Sequence, residues 1–450
     1  MAACGTSAPQ PEAESQPTAT PEPVEERKYN YISGKELEFE ELSTMRPVAV
    51  MVDDSKYAMP QSGIGSAEII YEMVTEGGIP RIMAVFSDID EVEDVGPVRS
   101  ARDQFVQFML PLNAIYVHIG TSIYANDMLN FYHYQDIDGL YLGNSSFEFD
   151  TERAQQYAHE HCWYTEDGLI EEGMSKTGLS IKGNLYPAFN FADYREAPVT
   201  LDDGFDAVEI EFCFSDYADT EFNYNEEKNR YYKEIYGSKQ IDADTDKQLS
   251  FTNVLLLHTD IDLYPDGLCT SFDLSSGEGF YFYGGKFIPV KWVKGQPEDP
   301  LQIFDFNDKP VEINVGKTYV AMIDTDMLET VEINDVELFK VLNPEAAVED
   351  ENSEDDKKSD DKKSEDKNKD DKSKDDKSED KSDDKKSEDK SDDSKAEDEK
   401  SEDKSKDNNA EDEKSEDKSD DNKDEDKKSE DKSEDNNAED DKSEDTAEPA

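Results

Sequence analysis

Ala114-Ile115-Tyr116-Val117-His118-Ile119-Gly120-Thr121-Ser122 is the stretch that decides the fold class. Residues 114–119 read as a buried strand, rich in branched and aromatic side chains. Gly120-Thr121-Ser122 then opens a helix that runs to about Tyr132. Strand, turn and helix make a βα unit, and in open α/β sheets ligands sit at such turns. Working outward, residues 47–52 form a short apolar strand. Residues 67–76 alternate, with Ile69, Tyr71 and Met73 on one face and Ile70, Glu72, Val74 and Glu76 on the other. Gly77-Gly78 breaks this run, and residues 81–86 return as a strand. Residues 46–175 therefore predict a mixed α/β domain.

Between these elements lies Gly96-Pro97-Val98-Arg99-Ser100-Ala101-Arg102, which leads into a helical stretch over 102–110. Ser100 is the expected N-cap, its hydroxyl accepting from a first-turn amide. Two guanidinium groups at a helix start oppose the dipole, so a negative partner is expected, either an internal carboxylate or a ligand. Arg99, Arg102, Ser100, Thr121 and Arg81 are thus candidates for an anion-accepting pocket. Glu72, Glu76 and His118 are candidates for acid–base chemistry. Glu72 and Glu76 on one strand face would lie roughly 13 Å apart, against the about 5–9.5 Å that paired glycosidase carboxylates require. One of these glutamates is expected to pair with Arg81, Arg99 or Arg102. His118, in an apolar strand, reads first as a hydrogen-bonded core residue. No Gly-x-Ser-x-Gly elbow accompanies it.

The series Arg46–Asp54, Pro60-Gln61-Ser62-Gly63, Tyr71-Glu72, Glu76–Arg81, Gly96–Arg102, Tyr116–Ser122 and His161–Thr165 resembles the YerB-like family of bacterial lipoproteins, defined by a domain of unknown function. Residues 223–236, Gly279–Lys294 and Gly316-Lys317-Thr318-Tyr319 resemble that family's second domain, so the likeness spans roughly 46 to 330. It implies a location and an architecture and brings no catalytic residues. Pro80 and Cys162 depart from it, standing where a hydroxyl residue and an asparagine are usual.

Residues 176–345 have a different character. Val208, Ile210, Phe212 and Phe214 alternate, and 222–224 pairs with 230–235 as a hairpin. Residues 253–258, 280–282, 287–293 and 319–323 add further strands. A mostly antiparallel β domain is expected here, serving as support and partner contact.

The chain has 450 residues and a formal net charge of −65. Residues 351–450 hold 46 Asp plus Glu and 24 Lys, with no aromatic residue and no Val, Ile, Leu or Met. This Lys-Ser-Glu-Asp repeat cannot offset chain entropy by burial, so 346–450 is predicted to be a disordered, low-complexity spacer. The remaining −43 repels nucleic acid, and nothing basic is clustered along the sequence to counter it.

At the other end, Met1-Ala2-Ala3-Cys4-Gly5 matches the end of a lipoprotein signal, with Cys4 as the lipidated residue. The charged and apolar stretch that precedes such a motif is not among these residues, as when a start is assigned late. Residues up to 45 then read as a signal remnant and extended linker.

Cys162, Cys213 and Cys269 have no metal-ligand spacing and are expected mainly as buried thiols. His159 and His161 lack a third ligand for zinc. Asp242, Asp244 and Asp246 begin like a calcium loop, but Lys247 and Asn253 occupy positions that need glycine and glutamate. No metal and no cofactor are expected.

The sequence therefore predicts a lipid-anchored protein on the extracytoplasmic face of the cell membrane. Its expected role is to bind or scaffold a cell-envelope component, with no nucleic-acid partner. The competing reading is an envelope hydrolase of a glycan or phosphodiester, working through Glu72, Glu76 and His118.

Overall fold

The computed structural model describes residues 28–343. The Cys4 anchor and the acidic repeat lie outside the described residues. The centre is an 11-stranded mixed sheet. Strands β1 (Val48–Asp53), β2 (Ile69–Val74), β3 (Pro80–Phe86), β4 (Ile115–His118) and β5 (Ile137–Asp138) form one half, in the order β2-β3-β1-β4-β5. β1, β4 and β5 run parallel, and β3 is antiparallel to both β1 and β2.

The other half comes from the C-terminal part of the chain. Strand Thr318–Asp324 pairs in parallel with β2 on one side and with Asn253–Thr259 on the other. Ser276–Tyr283, Lys286–Val293 and Gln302–Phe304 follow as antiparallel neighbours. Hydrogen bonding thus crosses the boundary placed between 175 and 176.

Side-chain alternation explains why the first half reads as continuous apolar runs. Val48, Val50, Val52, Ile70 and Ala84 join a core that includes Ile210, Phe212, Phe222, Tyr231 and Phe251 of a second, seven-stranded sheet. Ala49, Met51, Ile69, Tyr71, Met73 and Met83 face the opposite way. They pack with Phe105, Phe108, Leu255, Tyr281 and Trp292. Both faces of β1 to β3 are buried, so every residue in them is buried. The second sheet is covered on one face only, and its strands Glu209–Ser215 and Arg230–Ile235 alternate strictly.

Two expectations need correction. The first helix, α1, spans Asp103–Met109, and its N-cap is Arg102 with no side-chain capping bond. Ser100 cannot cap it, because residues 98–101 are held extended. The Arg99 amide donates to Met51 O (2.9 Å), the Ile119 amide to Arg99 O (3.0 Å), and the Ala101 amide to Gly120 O (2.9 Å). The second correction concerns Glu76. It lies beyond the end of β2, in a short turn over Glu76–Gly78 where Gly77 has φ 69°, and does not share a strand face with Glu72. By contrast, α2 (Ile123–Phe131) starts where the sequence places it, with Ser122 Oγ accepting from the Ala125 amide at 3.0 Å.

Candidate functional site

Three arginines gather at the C-terminal end of β1. Asp53 is the last residue of β1 and sits opposite Arg81 of β3. The bridging strip 98–101 brings Arg99 beside Asp53, with Arg99 Nε 3.4 Å from Asp53 Oδ2. His161 Nδ1 lies 2.7 Å from the same oxygen and, donating to the carboxylate, carries its proton there. Burial on its own would raise the Asp53 carboxyl. The His161 hydrogen bond, Arg99 and the Ser55 amide outweigh it and pull the group to about 2.

The three guanidinium groups are not equivalent. Arg102 is claimed by Glu76 through two bonds, Nε to Oε1 at 2.5 Å and Nη2 to Oε2 at 2.8 Å. Arg81 is buried and donates from Nη1 to Ser100 O at 2.7 Å. Burial first, then Arg102 and Arg99, lower it to about 9, while Asp53 and Glu76 support its charge. Arg99 keeps about a quarter of its side chain exposed. Its Nη1 donates to Glu160 O at 3.2 Å, and its buried Nε has no hydrogen-bond acceptor. Arg99 and Ser100 line a cavity of about 240 Å3, together with Leu140, Phe147, His159, Trp163 and one acid, Glu160.

The other candidates do not converge there. Thr121 pairs in a bridge with Ala101 and supports the strip. His118 is fully buried, with Nδ1 3.0 Å from Gly120 O and Nε2 3.2 Å from Asp136 Oδ2. Both ring nitrogens face acceptors, so it braces the βα turn. His159 and His161 diverge: Trp163 Nε1 donates to His159 Nδ1 (3.3 Å), whereas His161 serves Asp53. Cys162, Cys213 and Cys269 are free thiols.

Glu72 belongs to a separate network between the two sheets. Its Oε2 accepts from Lys233 Nζ (3.0 Å) and from Tyr319 OH (3.0 Å). Lys233 Nζ also donates to Gln240 Oε1 (2.7 Å) and lies 3.9 Å from Asp54 Oδ2. Asp54 Oδ1 accepts from Gln61 and from Gln240 Nε2 (2.8 Å). Two fully buried carboxyls thus share one lysine. Burial, then the Glu72 carboxylate, push Asp54 well above the carboxylate range. Lys233 and Gln240 escaped the sequence reading. An alternating hairpin does not reveal which of its inward positions meets an acid.

An α/β sheet with a cavity beside Arg99 at its βα turn, extended through β2 by a β-rich C-terminal half, defines the class: a two-part mixed-sheet protein whose halves share their apolar layers. Residues 32–180 match the N-terminal domain, and 208–320 the C-terminal domain, of the family described as "Protein of unknown function (DUF3048)". The chain belongs to this family. It is 28% identical over 256 residues to "Putative lipoprotein YerB" of Bacillus subtilis (strain 168), covering 56% of this chain and 74% of that protein. The crystal structure of the Bacillus subtilis YerB protein superposes with a TM-score of 0.59 at 25% identity. That match covers 68% of this chain and 99% of the other.

Proposed function

We propose that this protein is a lipid-anchored binding or scaffold protein of the cell envelope that holds an anionic envelope fragment at Arg99. The observation that carries this reading is the division of labour among three adjacent arginines. Arg102 is held by two bonds to Glu76 and Arg81 is buried, whereas Arg99, with Asp53 at 3.4 Å behind it, keeps about a quarter of its side chain exposed and opens onto a cavity walled by Trp163 and Phe147. Such a wall suits a ligand with a ring or apolar face beside its acidic group. The hydrolase reading has no comparable support, since Glu72, Glu76 and His118 each serve a different internal partner. The anchor reading rests on the motif at Cys4 and on the relative's name. Among the described residues no helix is long and apolar enough to cross a membrane.

Calorimetry against muropeptides and teichoic-acid fragments tests the site. Arg99→Ala is expected to lose binding and to lower the melting temperature less than Arg102→Ala does, because Asp53 keeps its bond from His161 and its place opposite Arg81. Arg102→Ala is expected to cost about 3 kcal/mol, because the Glu76 side chain, only 17% exposed, is left without its cation. A wild type that binds none of these anions removes the pocket reading. Cys4→Ala, in a precursor with a complete signal peptide, is expected to abolish detergent-phase partitioning; unchanged partitioning removes the anchor.

A further inference from the structure

A second cationic site lies away from Arg99, where the second sheet meets the main one. A cavity of about 510 Å3 is lined by Lys35, Lys228, Arg230, Lys247 and Lys317. These come from four separate places in the sequence, Lys228 and Arg230 sharing one hairpin, which is why no basic cluster is legible along the chain. On a protein of net charge −65, four lysines and an arginine around one cavity, against a single lining acid, is an arrangement that needs explaining.

The carboxylates nearby bond to neutral donors and form no ion pair with these cations. Glu68 is the one acid in the lining, and its oxygens accept from the Ser87 amide (2.8 Å), Ser87 Oγ (2.7 Å) and Asn30 Nδ2 (3.2 Å). Asp242 is buried and accepts from the amides of Gly65, Asp244 and Thr245. Among the described residues, Lys35, Lys228, Arg230 and Lys247 make no ion pair. Lys317 at the cavity wall donates to Gly65 O (2.8 Å) and Ile64 O (3.3 Å), and lies 5.0 Å over the Phe251 ring. Burial, with Arg230 and Lys35 adding repulsion, outweighs the support of Asp242 and Glu68 and lowers its ammonium to about 7. Uncharged donors complete the lining, among them Ser66, Tyr232 and Thr245.

We propose that this cavity is a binding site for a compact oligoanion carrying two or more phosphate groups. Its cations are spread around a volume several times larger than one phosphate fills. Most of them are lysines, which act on phosphate as point charges without the planar matching that carboxylates favour. The acidic surface around the cavity repels a long polyanion but leaves a short one room to enter.

The test uses the full chain at low ionic strength, with inorganic tripolyphosphate, orthophosphate and citrate titrated in a calorimeter. Expected is a single-site isotherm for tripolyphosphate, with orthophosphate and citrate at least tenfold weaker. Lys228→Gln/Lys247→Gln should weaken tripolyphosphate at least tenfold with an unchanged melting temperature, since both lysines are exposed and unpaired. Lys35→Gln alone should weaken it severalfold, and Arg99→Ala should leave it unaltered. The proposal is overturned if tripolyphosphate does not bind, if the double variant binds as the wild type does, or if citrate binds as tightly. Loss of binding in Arg99→Ala alone also overturns it, because that would assign the anion to the first site.

Discussion

Asp53 and Asp54 are sequence neighbours with opposite chemistry. Asp53 turns toward Arg99 and His161 and is held ionised, at about 2. Asp54 turns between the sheets, where burial and Glu72 raise it well above the usual range. Asp54 Oδ2 and Glu72 Oε1 are the carboxyl oxygens of that network without a hydrogen-bond partner, and a proton retained on Asp54 serves both. The unfolded chain loses this proton in the ordinary aspartate range while the folded chain keeps it. The folded state then binds more protons, so the Asp54 contribution to stability falls as pH rises above that range. Asp54→Asn mimics the protonated acid and keeps an acceptor for Gln61 and Gln240. Urea titrations should show it gaining on the wild type between pH 4 and pH 8. Lys233→Met should lose about 3–5 kcal/mol at neutral pH, by stranding Glu72. A pH-independent difference for Asp54→Asn would contradict the assigned proton.

Among the elements, the βα turn between β4 and α2 is the one on which the first site is built. Gly120 adopts φ 78°, and its amide donates to Asp138 Oδ1 at 2.7 Å. Ser122 caps α2, while the strip 98–101 leans on residues 119–122 through three backbone hydrogen bonds. From the sequence Ser100 is the expected cap, whereas Ser122 is the serine that caps. They part because Ser122 precedes a free helix start, whereas Ser100 lies within the hydrogen-bonded strip. Ser122→Ala is expected to cost about 1 kcal/mol in chemical denaturation. Ser100→Ala is expected to stay within about 0.5 kcal/mol of the wild type. Equal losses would mean that Ser100 has a capping role after all.

At the level of the whole molecule, the strand Thr318–Asp324 couples the two halves. It lies between β2 and Asn253–Thr259, in parallel with both. The Glu72–Lys233–Tyr319 network ties β2 to the second sheet across the same junction. Neither half can complete its sheet without the other. Far-UV and near-UV circular dichroism in urea are therefore expected to report one coincident transition. Two separated transitions would show that the 46–175 and 176–345 segments fold independently.

Local periodicity located the main strands and the start of α2. Residues 47–52, 67–76 and 81–86 read as strands, and the structure gives Val48–Asp53, Ile69–Val74 and Pro80–Phe86, with Glu76 in the turn beyond. Gly120-Thr121-Ser122 read as a helix start because a glycine at positive φ and a capping hydroxyl act over a few residues. Asp54, Gln61, Glu72 and Tyr319 each lie in a different stretch that carries the family resemblance, and nothing in the sequence joins them. Which arginine stays open to solvent, which carboxyl keeps a proton, and the assembly of Lys35, Lys228, Arg230, Lys247 and Lys317 around one cavity were decided by tertiary structure alone. Charge pairing depends on distance in space and on burial, and neither is a property of sequence spacing.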